Sequence, residues 1–204
     1  MLSVLRSRSS LAGIAFMCLG MAMFSFNDAM GKWLLGAYGV GQLLLIRSLA
    51  AMAVLAPAIH ASGLQTVLHP PRPGMQLLRI SLSTIEVASF YIAVTYMPLA
   101  ETVTFWLATP IYVAVLSGPL LGERTPLRRW FAIGIGFCGV LVAMNPGGAA
   151  LGWPALVALG GSFCFALMMI VTRQLRGTPD TTLVAWQAMA ALALGLVVAP
   201  FGWV

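Results

Sequence analysis

Charge is what this chain has least of. Only 8% of its 204 residues are charged, five of them Asp or Glu, and there are two His and three Cys. A soluble domain is about a quarter charged, so this shortage excludes a soluble enzyme, a disordered tail and a nucleic-acid-binding domain. Eleven Lys and Arg give a net charge of +6, but they lie in short gaps between apolar runs rather than on one basic face. That is the distribution of a membrane protein's loops. Cys18, Cys138 and Cys164 have neither paired spacing nor a nearby His, which excludes a disulfide framework or a zinc site. They read as small buried apolar side chains.

Hydrophobic residues make up 60% of the chain, and mean hydropathy is +0.96. A spanning helix needs about 20 predominantly apolar residues. The apolar runs predict an all-α integral membrane protein of about seven spans, near 11–34, 40–59, 77–97, 100–121, 130–146, 152–172 and 182–202. The first run has Arg6 and Arg8 before it but no small-x-small cleavage site after it, so it reads as a helix rather than a signal peptide. Arg6, Arg8, Arg72, Arg79, Arg124, Arg128, Arg129, Arg173 and Arg176 fall at alternate ends of the spans. The positive-inside rule then puts the N-terminus in the cytoplasm and, with seven spans, the C-terminus outside. Trp33, Trp130, Trp153 and Trp203 fall at expected interfaces, whereas Trp106 and Trp186 lie deeper, where they can face a cavity.

Gly118–Gly122 and Gly134–Gly139 are small-residue stretches suited to close helix approach. The second also fits G-x-G-x-x-G, but inside an apolar span without a preceding strand the match carries no dinucleotide site. Pro110, in the middle of the fourth span, should kink or break it and leave backbone carbonyls free.

Ionisable residues inside spans cost several kcal/mol unless paired or hydrated, so each is a functional candidate. Asp28, Arg47, Glu86 and, near the start of the fourth span, Glu101 qualify. At 1.5 Å per residue, Asp28 lies roughly 24 Å, Arg47 roughly 20 Å and Glu86 roughly 14 Å from the cytoplasmic edge. Arg47 is thus level with the gap between two carboxylates. One reading is a structural ion pair that fixes register. The other is a polar patch in a central cavity, in which Arg47 holds an anionic group while Glu86 or Asp28 cycles protons. Lys32, four residues after Asp28, reads as a snorkelling anchor. His60 and His69 read as solvated loop residues. Gly160-Gly161-Ser162 has no His on another span to act as base, and H-E-x-x-H is absent, so no enzyme, cofactor or metal is expected.

Asp28–Ala51 can be laid over Met169–Ala191. Lys32 falls against Arg173, Gly36 against Gly177 and, after one residue of slip, Arg47 against Gln187. Spans six and seven would then restart the pattern of spans one and two from the opposite side, as an inverted repeat does.

Tyr96-Met97-Pro98-Leu99-Ala100-Glu101, Pro110, Leu120-Leu121-Gly122-Glu123-Arg124, Trp130 and Gly139-Val140 resemble the drug/metabolite transporter superfamily, and within it the EamA-type domain. Asn27-Asp28 with Lys32 is similar to a branch that includes S-adenosylmethionine-type carriers. The resemblance implies a multi-pass inner-membrane carrier with two inverted five-helix halves around a substrate cavity. Arg47 and Pro110 would lie near that cavity, and Glu123 in the turn that positions the fifth helix. On this reading residues 1–10 are a cytoplasmic segment, 11–146 a complete first repeat and 147–204 the first two helices of a second. The expected function is secondary transport of a small polar metabolite, amino-acid-like or nucleotide-like. The candidate substrate or coupling residues are Asn27, Asp28, Arg47, Glu86, Trp106, Trp186 and Gln187. The alternative is a truncated, non-transporting membrane protein, or a subunit whose cavity a second copy or another membrane protein completes. The missing wall would leave Trp186 and Gln187 facing lipid without partners, and the chain alone is not expected to transport.

Overall fold

A computed structural model of the chain describes residues 2–122, 126–144 and 152–202. All regular structure among them is helical. Helix α1 runs Leu2–Leu34, α2 Val40–Ser62, α3 Leu64–Leu68, α4 Pro73–Tyr96, α5 Leu99–Leu107, α6 Thr109–Leu121, α7 Leu127–Met144, α8 Trp153–Gln174 and α9 Asp180–Val198. Six stretches of the described residues are long and apolar enough to cross a bilayer: Gly13–Leu34, α2, α4, Leu99–Leu121, α8 and α9. The stretch expected near 130–146 is helical in α7, but its apolar part among the described residues is the shorter Trp130–Gly139. Among the described residues six stretches reach the length of a full span, and α7 meets the remaining expected run only in part.

Local chemistry sets the helix ends. Pro lies in the first turn of α4, α6 and α8, where its missing N–H costs nothing and its fixed φ suits the helix. The break expected at Pro110 falls at Ala108, so that Pro110 opens α6 instead of kinking one continuous helix. Gly122 ends α6 in the left-handed conformation, φ 68°, which glycine adopts without Cβ strain.

The bundle is built on two antiparallel pairs. In the first, α2 crosses α9: a Cβ on Gly41 would lie 2.6 Å from Ala199 N, and one on Gly195 would lie 2.7 Å from Leu45 N. At the other end of this pair the Ser62 hydroxyl donates to Thr181 Oγ1 at 3.4 Å. In the second, α4 lies along α8 from Arg72, whose guanidinium donates to the Gln174 carbonyl, to Tyr96, whose ring meets Trp153 edge-on at 4.6 Å. Midway, a Cβ on Gly161 would lie 2.6 Å from Ser89 Cβ. Lipid tails are as apolar as the side chains, so close backbone approach at such glycines, not burial from water, holds these helices together. The stretch expected to serve this purpose does not: a Cβ on Gly134, Gly136 or Gly139 would meet nothing within 4 Å.

Helix α1 is the outlier. Phe16, Met17, Leu19, Met21, Met23, Phe24 and Phe26 are all exposed. It meets α4 near its C-terminal end, where Gly31 abuts the Tyr91 ring and Lys32 donates to the carbonyls of Val94 and Met97. Lys32 is thus a cation at the C-terminus of α4, where the helix dipole favours it, and not a free snorkelling anchor. Cys18 and Cys138 are exposed on apolar helices rather than buried, and Cys164 is half-buried.

Candidate functional site

Helix α4 supplies one wall of the site. Gln76, Arg79, Ser83 and Glu86 are all buried and follow one another at intervals of three, four and three residues, which puts them on one helix face. Two turns beyond Ser83, Tyr91 is 1% exposed.

Around Glu86 and Tyr91 the structure brings together side chains from four helices. The Trp106 indole N–H on α5 donates to Glu86 Oε1 at 2.8 Å, and its ring packs edge-on against Phe90 at 5.1 Å. From α2, Arg47 donates to the Tyr91 hydroxyl at 2.8 Å, with its guanidinium carbon 5.9 Å from the ring centroid. Asn27 and Asp28, half-buried on α1, reach the same region through Gly31, one turn further on. The Asn27 amide donates to Asp28 Oδ1 at 3.4 Å. The Arg47 hydrogen bond goes to a phenol and not to a carboxylate. A register-fixing ion pair is therefore not what is built here. Arg47 remains exposed, with donors free for a further group.

Trp186 and Gln187 are elsewhere, and neither lacks a partner. The Trp186 indole donates to the Val67 carbonyl on α3 at 2.7 Å. Gln187 Oε1 accepts from Arg79 at 3.2 Å. Glu101 is half-buried in the first turn of α5, where a carboxylate complements the helix dipole, and Pro110 is exposed on α6. Glu123 lies outside the described residues. An apolar cavity of about 440 Å³ between α5, α6, α7 and α8, lined by Phe105, Tyr112, Trp130, Phe137 and Leu159 among others, has no charged group with which to select a polar solute.

Sequence reasoning missed two residues. Tyr91 carries no charge and reads as one more aromatic in an apolar run. Arg79 reads as a loop charge, although its three-four-three spacing with Gln76, Ser83 and Glu86 was available. It is 6% exposed, and it donates to Thr172 Oγ1 at 2.9 Å, the Leu183 carbonyl at 3.0 Å and Gln187 Oε1.

Glu86 and Tyr91, buried on α4, thus share one region of the bundle with the exposed Arg47 guanidinium. The EamA-like transporter family matches residues 11–145. This chain belongs to that family. The relatives that match this EamA-family chain are transporters rather than enzymes. It is 23% identical over 161 residues to a riboflavin transporter of Vibrio cholerae, covering 78% of this chain and 54% of that protein. It is 24% identical over 167 residues to an S-adenosylmethionine uptake transporter of Rickettsia prowazekii, covering 82% and 56%. The chain thus spans about half the length of the curated relatives it matches. No solved structure gives a significant match.

Proposed function

We propose that the chain forms the substrate-binding part of a secondary transporter in the inner membrane, with its N-terminus in the cytoplasm, moving a small nucleotide-like metabolite by alternating access. The observation that carries this reading is the exposed Arg47 guanidinium bonded to Tyr91, on helices that are otherwise apolar. The Tyr91 ring adjoins Phe90 and, through it, the Trp106 indole that holds Glu86. Riboflavin and S-adenosylmethionine, named for the relatives, share a planar heteroaromatic ring on a polar chain. Trp106, Phe90 and Tyr91 supply aromatic surface for such a ring, Arg47 a fork for an anionic group, and Asp28 and Glu86 counter-charges for a cationic one. Rocking of inverted repeats about this site would expose it to each side in turn. The antiparallel course of α4 and α8 supports α7 as the span that returns the chain between them.

Equilibrium binding of tritiated riboflavin and S-adenosylmethionine to the purified chain tests the site directly. One of them should bind saturably, and Arg47→Ala should weaken it at least about tenfold. Absence of saturable binding of either overturns the substrate class. A second reading, that transport requires another copy or a membrane partner, rests on the exposed apolar face of α1. Uptake into liposomes by monodisperse monomer would sink it.

A further inference from the structure

We propose that Arg79, Gln76, Ser83 and Thr182 form a binding site for a small inorganic anion of chloride size, separate from the region around Arg47. Arg79 is a buried cation whose three acceptors, the Thr172 hydroxyl, the Leu183 carbonyl and the Gln187 amide oxygen, are all neutral. Neutral acceptors satisfy hydrogen bonds but leave the charge itself uncompensated, and a buried charge is costly unless paired.

The surroundings are rich in unused donors. A guanidinium carries five N–H groups, and two of Arg79's remain. Gln76, one turn before it on the same face of α4, is 0% exposed, and neither end of its amide has a partner. The Ser83 hydroxyl, one turn after it, is 1% exposed and unpartnered. The Thr182 hydroxyl, 0% exposed and also unpartnered, adjoins Leu183, whose carbonyl Arg79 holds. Buried polar groups of native proteins nearly always find a partner. Water would satisfy these groups but not the charge. An anion accepts from the Gln76 Nε2 amide, the two hydroxyls and the free guanidinium N–H groups and also balances the charge, an attraction that low dielectric strengthens. Val171, Leu175 and Leu183, with Met75 and Leu82, form an apolar cluster at the same junction of α4, α8 and α9. That setting suits a compact monatomic anion better than one with hydrogen-bonding groups of its own.

The test is equilibrium dialysis of radiolabelled chloride against the purified full chain, with gluconate as the balancing anion. Wild type should bind saturably. Gln76→Leu, and separately Thr182→Val, should weaken binding at least about fivefold while keeping Arg79 and its three bonds. Gln76→Glu should abolish chloride binding and raise the thermal midpoint, because it supplies the missing negative charge in place. A merely structural polar cluster would not give that pair of results. No saturable binding to wild type up to about 100 mM chloride would show that water fills the site and would overturn the proposal. Should a variant fail to fold, bromide-soaked crystals of wild type decide: an anomalous peak beside Arg79 supports the site, and its absence there overturns it. None of these readouts depends on the transported metabolite, so either proposal can fail alone.

Discussion

Two polar clusters lie on one helix, with Arg79 and Glu86 about 10 Å apart along α4, and they are built on opposite plans. Around Arg79 every observed bond ends inside the protein, on α8 or α9, and the guanidinium is sealed. Around Glu86 and Tyr91 the bonds leave one guanidinium, that of Arg47, exposed. The same residue type thus serves as a structural hub in one place and as an open contact in the other. What separates them is the packing of neighbouring helices. Loss of Arg79 itself should therefore move stability, whereas substitutions in the second cluster should move binding of the transported metabolite.

The largest effect is expected from Arg79→Met. It removes three hydrogen bonds at once and strands the Gln187 amide oxygen, whose loss of a partner alone costs about 1–3 kcal/mol. Heating followed by size-exclusion chromatography should show a steep loss of monodisperse protein; a wild-type midpoint would break the contrast. Next comes Gly161→Val, which lies beside the open cluster. Its Cβ would meet Ser89 Cβ at 2.6 Å and the Trp106 ring at 3.1 Å, so overpacking should cost about 1–3 kcal/mol. Because it pushes Trp106 off Glu86, indole fluorescence and ligand affinity should change together. Tyr91→Phe removes one hydrogen bond and should cost about 1 kcal/mol, read as a small shift in the same melting assay. Arg47→Ala breaks the same bond and should cost a similar, small amount in stability, but it should cost most in binding. If it melts like Arg79→Met, the open cluster is structural after all.

Most of the helices were legible because lipid imposes a simple rule, a long apolar run, and Pro110 announced the break near Ala108. The glycines were not. Gly134, Gly136 and Gly139 cluster in sequence and face open space, whereas the isolated Gly41, Gly161 and Gly195 carry the close crossings. Whether a glycine is needed depends on a backbone that arrives from far along the chain, and no local pattern records that. Arg79 was misread for a related reason: a charge near a span end usually belongs to the loop. Here α8 and α9 cover it. Arg47 and Glu86, deep in apolar runs, were conspicuous without knowledge of their neighbours, but the phenol that joins Arg47 was not.

The Lys32 tie has a consequence in time as well as in space. Lys32 and the Val94 carbonyl are 62 residues apart in sequence, so at roughly 5–20 residues per second the partner is made about 3–12 s later. During that interval α1 has no dock on α4, and Asn27, Asp28 and Lys32 must be hydrated, held by the insertion machinery or paired among themselves. The backbone that Gly41 meets, at Val198 and Ala199, is made later still, roughly 8–32 s after the glycine itself. Helix α1 therefore docks early, and the α2–α9 crossing closes last.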